Sequence, residues 1–323
     1  MNWFAMIDMQ QIRLYNRFTD HVVSKGECFM SSTVQTTQTQ ASLTLSDVET
    51  TGLLTLYCHA LESLSPNPIL KDDKAVEITQ QLTPLLAGSK NRLLRKLAAH
   101  EVDQRLVVHI ALRARQYDQY AKNFIDRNPE GIIVNLGCGM DSRFYRIDNG
   151  RMIFFDLDLP EVIRFKKKVL AESERYRMIA ASVFDYRWMD QVAQYGSRPV
   201  LFLAEGVFPY LEAGKVKSLV LELQSRFPGS ELVCEVVKEI WVKQPLRTLV
   251  NIKLQRQVGL GKEAVYRFGI SSSREMETWN AGIRFIDDWS YFDTNHEKLG
   301  WMGWLGKSKF LRKLQWTVHY RLN

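Results

Sequence analysis

Residues 132–158 read IIVNLGCGMDSRFYRIDNGRMIFFDLD, a pattern compatible with few folds. The apolar run from Ile132 to Leu136 leads straight into Gly137 and Gly139, with Asp141 close behind. A second apolar run, Met152 to Phe155, ends on Asp156 and Asp158. A strand that turns over glycines, followed one βα unit later by a strand ending in a carboxylate, builds a nucleoside pocket at the edge of a parallel sheet. Glycine lets the backbone approach a ligand where a Cβ would intrude. The carboxylate accepts hydrogen bonds from ribose hydroxyls.

Two cofactor classes use this layout. Dinucleotide enzymes place a third glycine in Gly-x-Gly-x-x-Gly, so that a helix N-terminus faces the pyrophosphate. Here Ser142 and Arg143 follow Asp141, and that glycine is missing. The Gly-x-Gly-x-Asp form suits S-adenosylmethionine, which has no phosphate to cradle. A dinucleotide oxidoreductase is the alternative that the motif alone leaves open.

Around this motif, strand and helix alternate. Strands are expected at Ile132 to Leu136, Met152 to Phe155, Arg177 to Ala181, Val200 to Ala204 and Glu231 to Val237. Helices are expected at Ser142 to Tyr145, Pro160 to Glu174, Trp188 to Tyr195 and Ala213 to Arg226. The rhythm predicts an α/β fold with a parallel sheet covered on both faces. Upstream, Ser46 and Glu49 form a capping box ahead of a helix that Pro66 and Pro68 stop. A short helix from Lys71 to Leu82, and one or two more between Leu94 and Ile125, lead into the first strand. Residues 1–45 read as an N-terminal helical lid segment, with the polar stretch 31–42 as a flexible connection. Residues 46–323 read as one domain, with a cap insertion at about 238–286. Trp316, Val318 and Tyr320 alternate as a strand does, so an antiparallel C-terminal hairpin is expected at one sheet edge.

The formal charge of +7 raises the question of nucleic acid. The densest clusters, Lys166 to Lys168 and Lys307 to Lys313, lack the interleaved aromatics of a strand-binding groove. They read as solvated helix faces, and no nucleic-acid partner is expected. The surplus suits steering of an anionic substrate. No apolar run long enough to span a membrane occurs, and no secretory leader is read at the start. Cys28, Cys58, Cys138 and Cys234 are scattered without metal-binding spacing. Reduced thiols in a cytoplasmic protein, with no metal, are the expectation.

VNLGCGMDSRFYR, FFDLDLPEV and AEGVFPYL, in this order, resemble the leucine carboxyl methyltransferase family. That family includes enzymes of a protein phosphatase tail and bacterial polyketide carboxyl O-methyltransferases of the tetracenomycin type. The resemblance runs from about Leu43 to the C-terminus and takes in TLYCHALESLSPNPILKDDKAVEI and ALRARQYDQYAKNFI. RFGISSSREMETWNAGIRFIDDWSYFD looks like the bacterial small-molecule branch. The resemblance implies a class I SAM-dependent methyltransferase (Rossmann-like) sheet with a helical cap, and S-adenosyl-L-methionine as cofactor.

It also implies roles for individual residues. Arg115 matches the arginine that binds the cofactor's carboxylate, a task its planar fork suits. Gly137 matches the glycine in contact with the cofactor, beside Gly139 of the motif, and Asp158 matches the ribose acid. Ser182 and Val183 align with the adenine segment. Asp185 stands three residues beyond, as an adenine partner or a helix cap. Glu205 lies beside the cofactor, and Tyr210 on the same loop either faces the substrate or packs under the cap. His59 stands where relatives carry Arg or Lys, as a weaker anchor or a core histidine. Asp156 is a site acid or a solvated carboxylate.

A carboxylate acceptor is already ionised, so no residue is expected to be catalytic in the chemical sense. A phenol or alcohol would need a base, with His59, His109 and Glu205 as candidates. The expected activity is methylation of a small-molecule, polyketide-like acid. A protein C-terminal carboxyl methyltransferase and a non-catalytic cofactor-binding protein are the alternatives.

Overall fold

A computed structural model describes residues 47–248, 265–294, 296–300 and 308–323. The whole of the expected lid segment, residues 1–45, and the middle of the expected cap lie outside the described residues.

Four helices precede the sheet: α1 (Asp47–Ser63), α2 (Asp73–Ala87), α3 (Arg92–Ala98) and α4 (Gln104–Arg127). Short side chains start three of them. Asp72 Oδ1 accepts from Ala75 N at 2.9 Å, Asn91 Oδ1 from Leu93 N at 2.8 Å, and Asp103 Oδ1 from Arg105 N at 2.8 Å. In α4, Val107, Ile110, Ala111, Ala114, Tyr117, Ala121 and Phe124 recur at helical spacing and are buried.

The sheet then builds up from β1 (Ile132–Leu136), β2 (Ile153–Asp158), β3 (Tyr176–Ala180), β4 (Val200–Ala204) and β5 (Ser230–Val237). Between these strands lie α5 (Arg143–Ile147), α6 (Pro160–Lys166), α7 (Trp188–Ala193) and α8 (Ala213–Arg226). The strand order is β3-β2-β1-β4-β5-β7-β6, with β6 (Ile283–Trp289) and β7 (Gln315–Leu322) completing it. β1 to β5 run parallel, and β7 pairs antiparallel with both β5 and β6.

Alternate residues of the central strands feed two cores. Ile133, Leu201, Leu203 and Val233 pack under α1 to α4. Ile132, Val134, Leu136, Phe202 and Cys234 pack with α7, α8 and β7 on the other face. Trp316, Val318 and Tyr320 join that second core, each fully buried or nearly so, worth roughly 1.5–3 kcal/mol apiece for side chains of this size.

Three details differ from the expectation. The strand that pairs with β7 begins at Ile283, inside the stretch read as cap, while Tyr291–Thr294 forms a short 3-10 turn. Helix α6 stops at Lys166 rather than Glu174. There the bonding tightens, with Lys168 N donating to Phe165 O and Val169 N to Lys166 O, each at 3.0 Å. Lys166 is also not a solvated charge. It is fully buried, with Nζ 2.7 Å from Asp156 Oδ2. No helix of the described residues is long and apolar enough to cross a membrane.

Candidate active site

The strand order reverses direction between β1 and β4, and an open α/β sheet binds ligands at the carboxyl ends of the strands flanking such a point. A cavity of about 540 Å³ lies there, lined by the ends of β1 to β4 and roofed by α1 and α4. Gly137 turns the chain at φ +63°, and a Cβ there would stand 2.6 Å from Val207 Cγ2. Gly139, at φ +50°, donates its amide to Asp158 Oδ2 at 2.7 Å. Leu159 N donates to Asp158 Oδ1, also at 2.7 Å. Burial raises the Asp158 carboxyl above its ordinary range, against the pull of these two amides. Helix α1 comes close to this loop at Gly52, where an added Cβ would lie 3.3 Å from Met140 N.

One end of the cavity is built from ion pairs. Glu205, just past β4, accepts from Arg113 Nε at 2.8 Å and from Arg143 Nη2 at 2.5 Å. Arg113 Nη1 also donates to Glu235 Oε2 at 3.0 Å, and Gln315 Nε2 to Glu235 Oε1 at 2.7 Å. Arg143 donates further to Asp118 at 2.7 Å and Asp141 at 2.5 Å. Arg146 joins Asp118 to Asp72, and Asp72 in turn lies 3.1 Å from His59 Nδ1. Burial alone would raise the Asp141 carboxyl, but Arg143 and Arg146 bring it down to about 2. Burial likewise opposes ionisation of Glu205, and Arg143 and Arg113 hold it below the usual range.

The other end is more apolar. Leu106, His109, Ile110 and Arg113 present one face of α4 to the cavity, at the i, i+3, i+4, i+7 spacing of a helix. Pro209 O accepts from the amides of Arg267 and Phe268, which brings Tyr266 against Tyr210 with ring centroids 5.4 Å apart. Burial pushes the Tyr210 hydroxyl up to about 12. Removal from water, then the Arg113 charge, bring His109 down to about 3, so its ring is neutral.

Of the residues singled out in the sequence, His59, Gly137, Gly139, Asp158, Ser182, Val183, Glu205 and Tyr210 all line this cavity. Arg115 and Asp185 are not among its lining residues. Two residues along a helix turn the side chain by about 200°, so Arg113 faces the cleft while Arg115 faces away. Arg115 lines a separate pocket of about 480 Å³ with Lys74, Lys122 and Tyr145. Asp185 pairs with the exposed Arg187 at 2.5 Å and accepts from its amide ahead of α7, as a turn residue does. Asp156 also lies off the cavity, held by Lys166, by Tyr176 OH at 2.5 Å and by Asn135 Nδ2 at 3.1 Å. Arg113, Gln315 and Tyr266 were missed as lining residues. Arg113 was within reach of the helical spacing it shares with His109.

The family model for leucine carboxyl methyltransferase matches residues 53–224. The tetracenomycin polyketide synthesis O-methyltransferase TcmP of Streptomyces glaucescens is 31% identical over 254 residues, covering 78% of this chain and 86% of that protein. The S-adenosyl-L-methionine-dependent methyltransferase dpfgK of Gibberella zeae is 28% identical, covering 86% of this chain and 93% of that protein. Among solved structures, a DUF574 family protein from Streptomyces avermitilis superposes with a TM-score of 0.51 at 11% identity, covering 75% of this chain and 96% of that one. The sheet is that of the class I S-adenosyl-L-methionine-dependent methyltransferases. With its motifs in register and its strand ends gathered on one cleft, the chain belongs to the leucine carboxyl methyltransferase family.

Proposed function

We propose that this S-adenosyl-L-methionine-dependent methyltransferase esterifies the carboxylate of a small, largely apolar acid. The cleft suits the cofactor. Its wall carries the carboxylates of Asp141, Asp158 and Glu205 beside the guanidinium of Arg113, groups of both signs for a molecule that is itself cationic at two places and anionic at one. Gly137 leaves open the space that a Cβ would fill. When bound, S-adenosyl-L-methionine supplies an electrophilic methyl group. Asp158 is the acceptor for the ribose hydroxyls, Ser182 and Val183 flank the base, and Arg113 meets the carboxylate.

The state of His109 carries the choice of acceptor. A phenol or alcohol must lose a proton as it is methylated. His109, at about 3, is too weak a base to take that proton, and Glu205 is committed to two guanidinium groups. A carboxylate has no proton to lose. The protein then has only to align the acceptor and keep water away, and alignment alone is worth roughly 7–11 kcal/mol at best. Leu106, Ile110, Leu211, Tyr210 and Tyr266 give the acceptor end an apolar and aromatic wall. The Streptomyces glaucescens relative, named for O-methylation in polyketide synthesis, fits this reading.

The test is transfer of labelled methyl from the cofactor to a panel of aromatic and polyketide acids. Label released as methanol by mild alkali marks an ester and supports the reading. Label that survives alkali marks an ether and overturns it. Label on a protein band instead of an extractable product favours a protein-tail acceptor.

A further inference from the structure

His59 is almost wholly buried in α1, and its ring reaches the wall of the cofactor cleft. Its two nitrogens are in different situations. Nδ1 lies 3.1 Å from Asp72 Oδ2. Nε2 is buried and has no hydrogen-bond partner among the described residues. An orphaned polar atom in a cavity wall loses its bond to water and gains nothing in exchange, unless a ligand supplies a partner.

Asp72 settles which kind of partner that is. Its carboxylate also takes Arg146 Nη1 at 2.5 Å, the Ser142 hydroxyl at 2.7 Å and the Ala75 amide at 2.9 Å. Burial would raise this carboxyl, but Arg146 and His59 hold it well below the ordinary range. An ionised carboxylate has only lone pairs to offer, so the hydrogen sits on His59 Nδ1. In the neutral ring Nε2 then carries a lone pair and needs a donor. Asp141 and Glu205, within electrostatic reach of His59, are acceptors as well. This end of the cleft therefore offers a ring of acceptors, and of the two charged ends of an amino acid only the ammonium donates.

We infer that the α-ammonium group of the cofactor donates a hydrogen bond to Nε2 of His59, with Asp72 fixing the tautomer that accepts it. The inference rests on the reading of the cleft as the cofactor site.

The experiment is calorimetric titration with S-adenosylhomocysteine and two analogues, one lacking the α-amino group and one lacking the carboxyl. At pH 8 the wild-type protein should bind the amino-less analogue at least on the order of tenfold more weakly, the loss of a charge-assisted bond. His59→Phe should erase that difference and keep the penalty for the missing carboxyl. His59→Gln, whose amide oxygen can still accept a hydrogen bond, should retain much of the amino penalty, and it decides the matter should His59→Phe not fold. The inference is overturned if His59→Phe keeps the full amino penalty, or if His59→Gln loses it while the penalty for the missing carboxyl stays. If Asp158→Ala leaves its affinity unchanged, the cofactor reading of the cleft fails, and the role of His59 falls with it.

Discussion

Arg113 and Glu205 meet at 2.8 Å, Nε to Oε1, and tie helix α4 to the end of β4 at the wall of the cleft. Both side chains are about nine-tenths buried. Glu205→Gln leaves Arg113 and Arg143 each short of a counter-charge. Breaking one partner out of such a buried pair costs about 3–5 kcal/mol. Denaturant unfolding should show a loss of that order, and calorimetry should show weaker cofactor binding in whatever fraction stays folded.

The two arginines of the Arg-Ala-Arg run should behave differently. Arg115→Ala should leave cofactor affinity unchanged and shift stability by no more than about 0.5 kcal/mol, as is usual away from buried networks. Arg113→Ala should lose cofactor binding, and it also strands Glu235 and Glu205. Titration of both variants with S-adenosylhomocysteine is the check. Equal losses would mean that the outer pocket around Arg115 takes part in binding.

Gly137 cannot accept a side chain without strain. Its φ of +63° disfavours other residues, and a Cβ would collide with Val207 Cγ2 at 2.6 Å. Gly137→Ala should cost roughly 1–3 kcal/mol for the backbone conformation, with cofactor affinity falling more than that of Gly150→Ala. Gly150 shares the positive φ but has nothing within 4 Å of an added Cβ, so the pair separates strain from collision. Thermal unfolding and calorimetry on both variants are the measurements.

Stability should depend on pH through His319. Its ring lies 3.0 Å from Glu231 and 3.5 Å from Asp287. Burial would lower its pKa, but hydrogen bonds to Asp287 and Glu231 outweigh that and raise it. A raised folded-state pKa gives stability that is complete below the unfolded value near 6.5 and is lost as pH climbs through the folded value. Glu231 works from the other side. His319 and Arg127 overcome its burial and bring it down to about 2, so its share is lost between about 4.5 and 2. His319→Gln should flatten the alkaline side of a stability-against-pH curve and leave a fall on the acid side.

The parallel core was legible because its strands are short apolar runs bounded by turn residues. β1 and β4 lie within the ends expected for them, since Gly137 and Glu205 mark where the apolar run stops. Seven of the nine expected cofactor contacts line one cavity because they sit at strand ends or on the helix above, where topology gathers them. The exceptions have physical reasons. Arg113 and Arg115 are chemically alike, and only helix phase separates them. β6 reads IRFIDDW with a half-exposed face, as an edge strand does, so its alternation is diluted by charge. The burial of Lys166, at the end of helix α6, depends on Asp156 in strand β2, and no helical or strand periodicity announces such a pair.

β7 lies between β5 and β6, and among the described residues it is the neighbour through which β6 joins the sheet. Protection of amides against solvent hydrogen exchange in the β6 ladder is therefore capped by that of β7. Whatever opens β7 frees β6 as well, while β6 can fray and leave β5 covered. Slow-exchanging protons should thus thin out in one direction, from the sheet centre through β7 to β6.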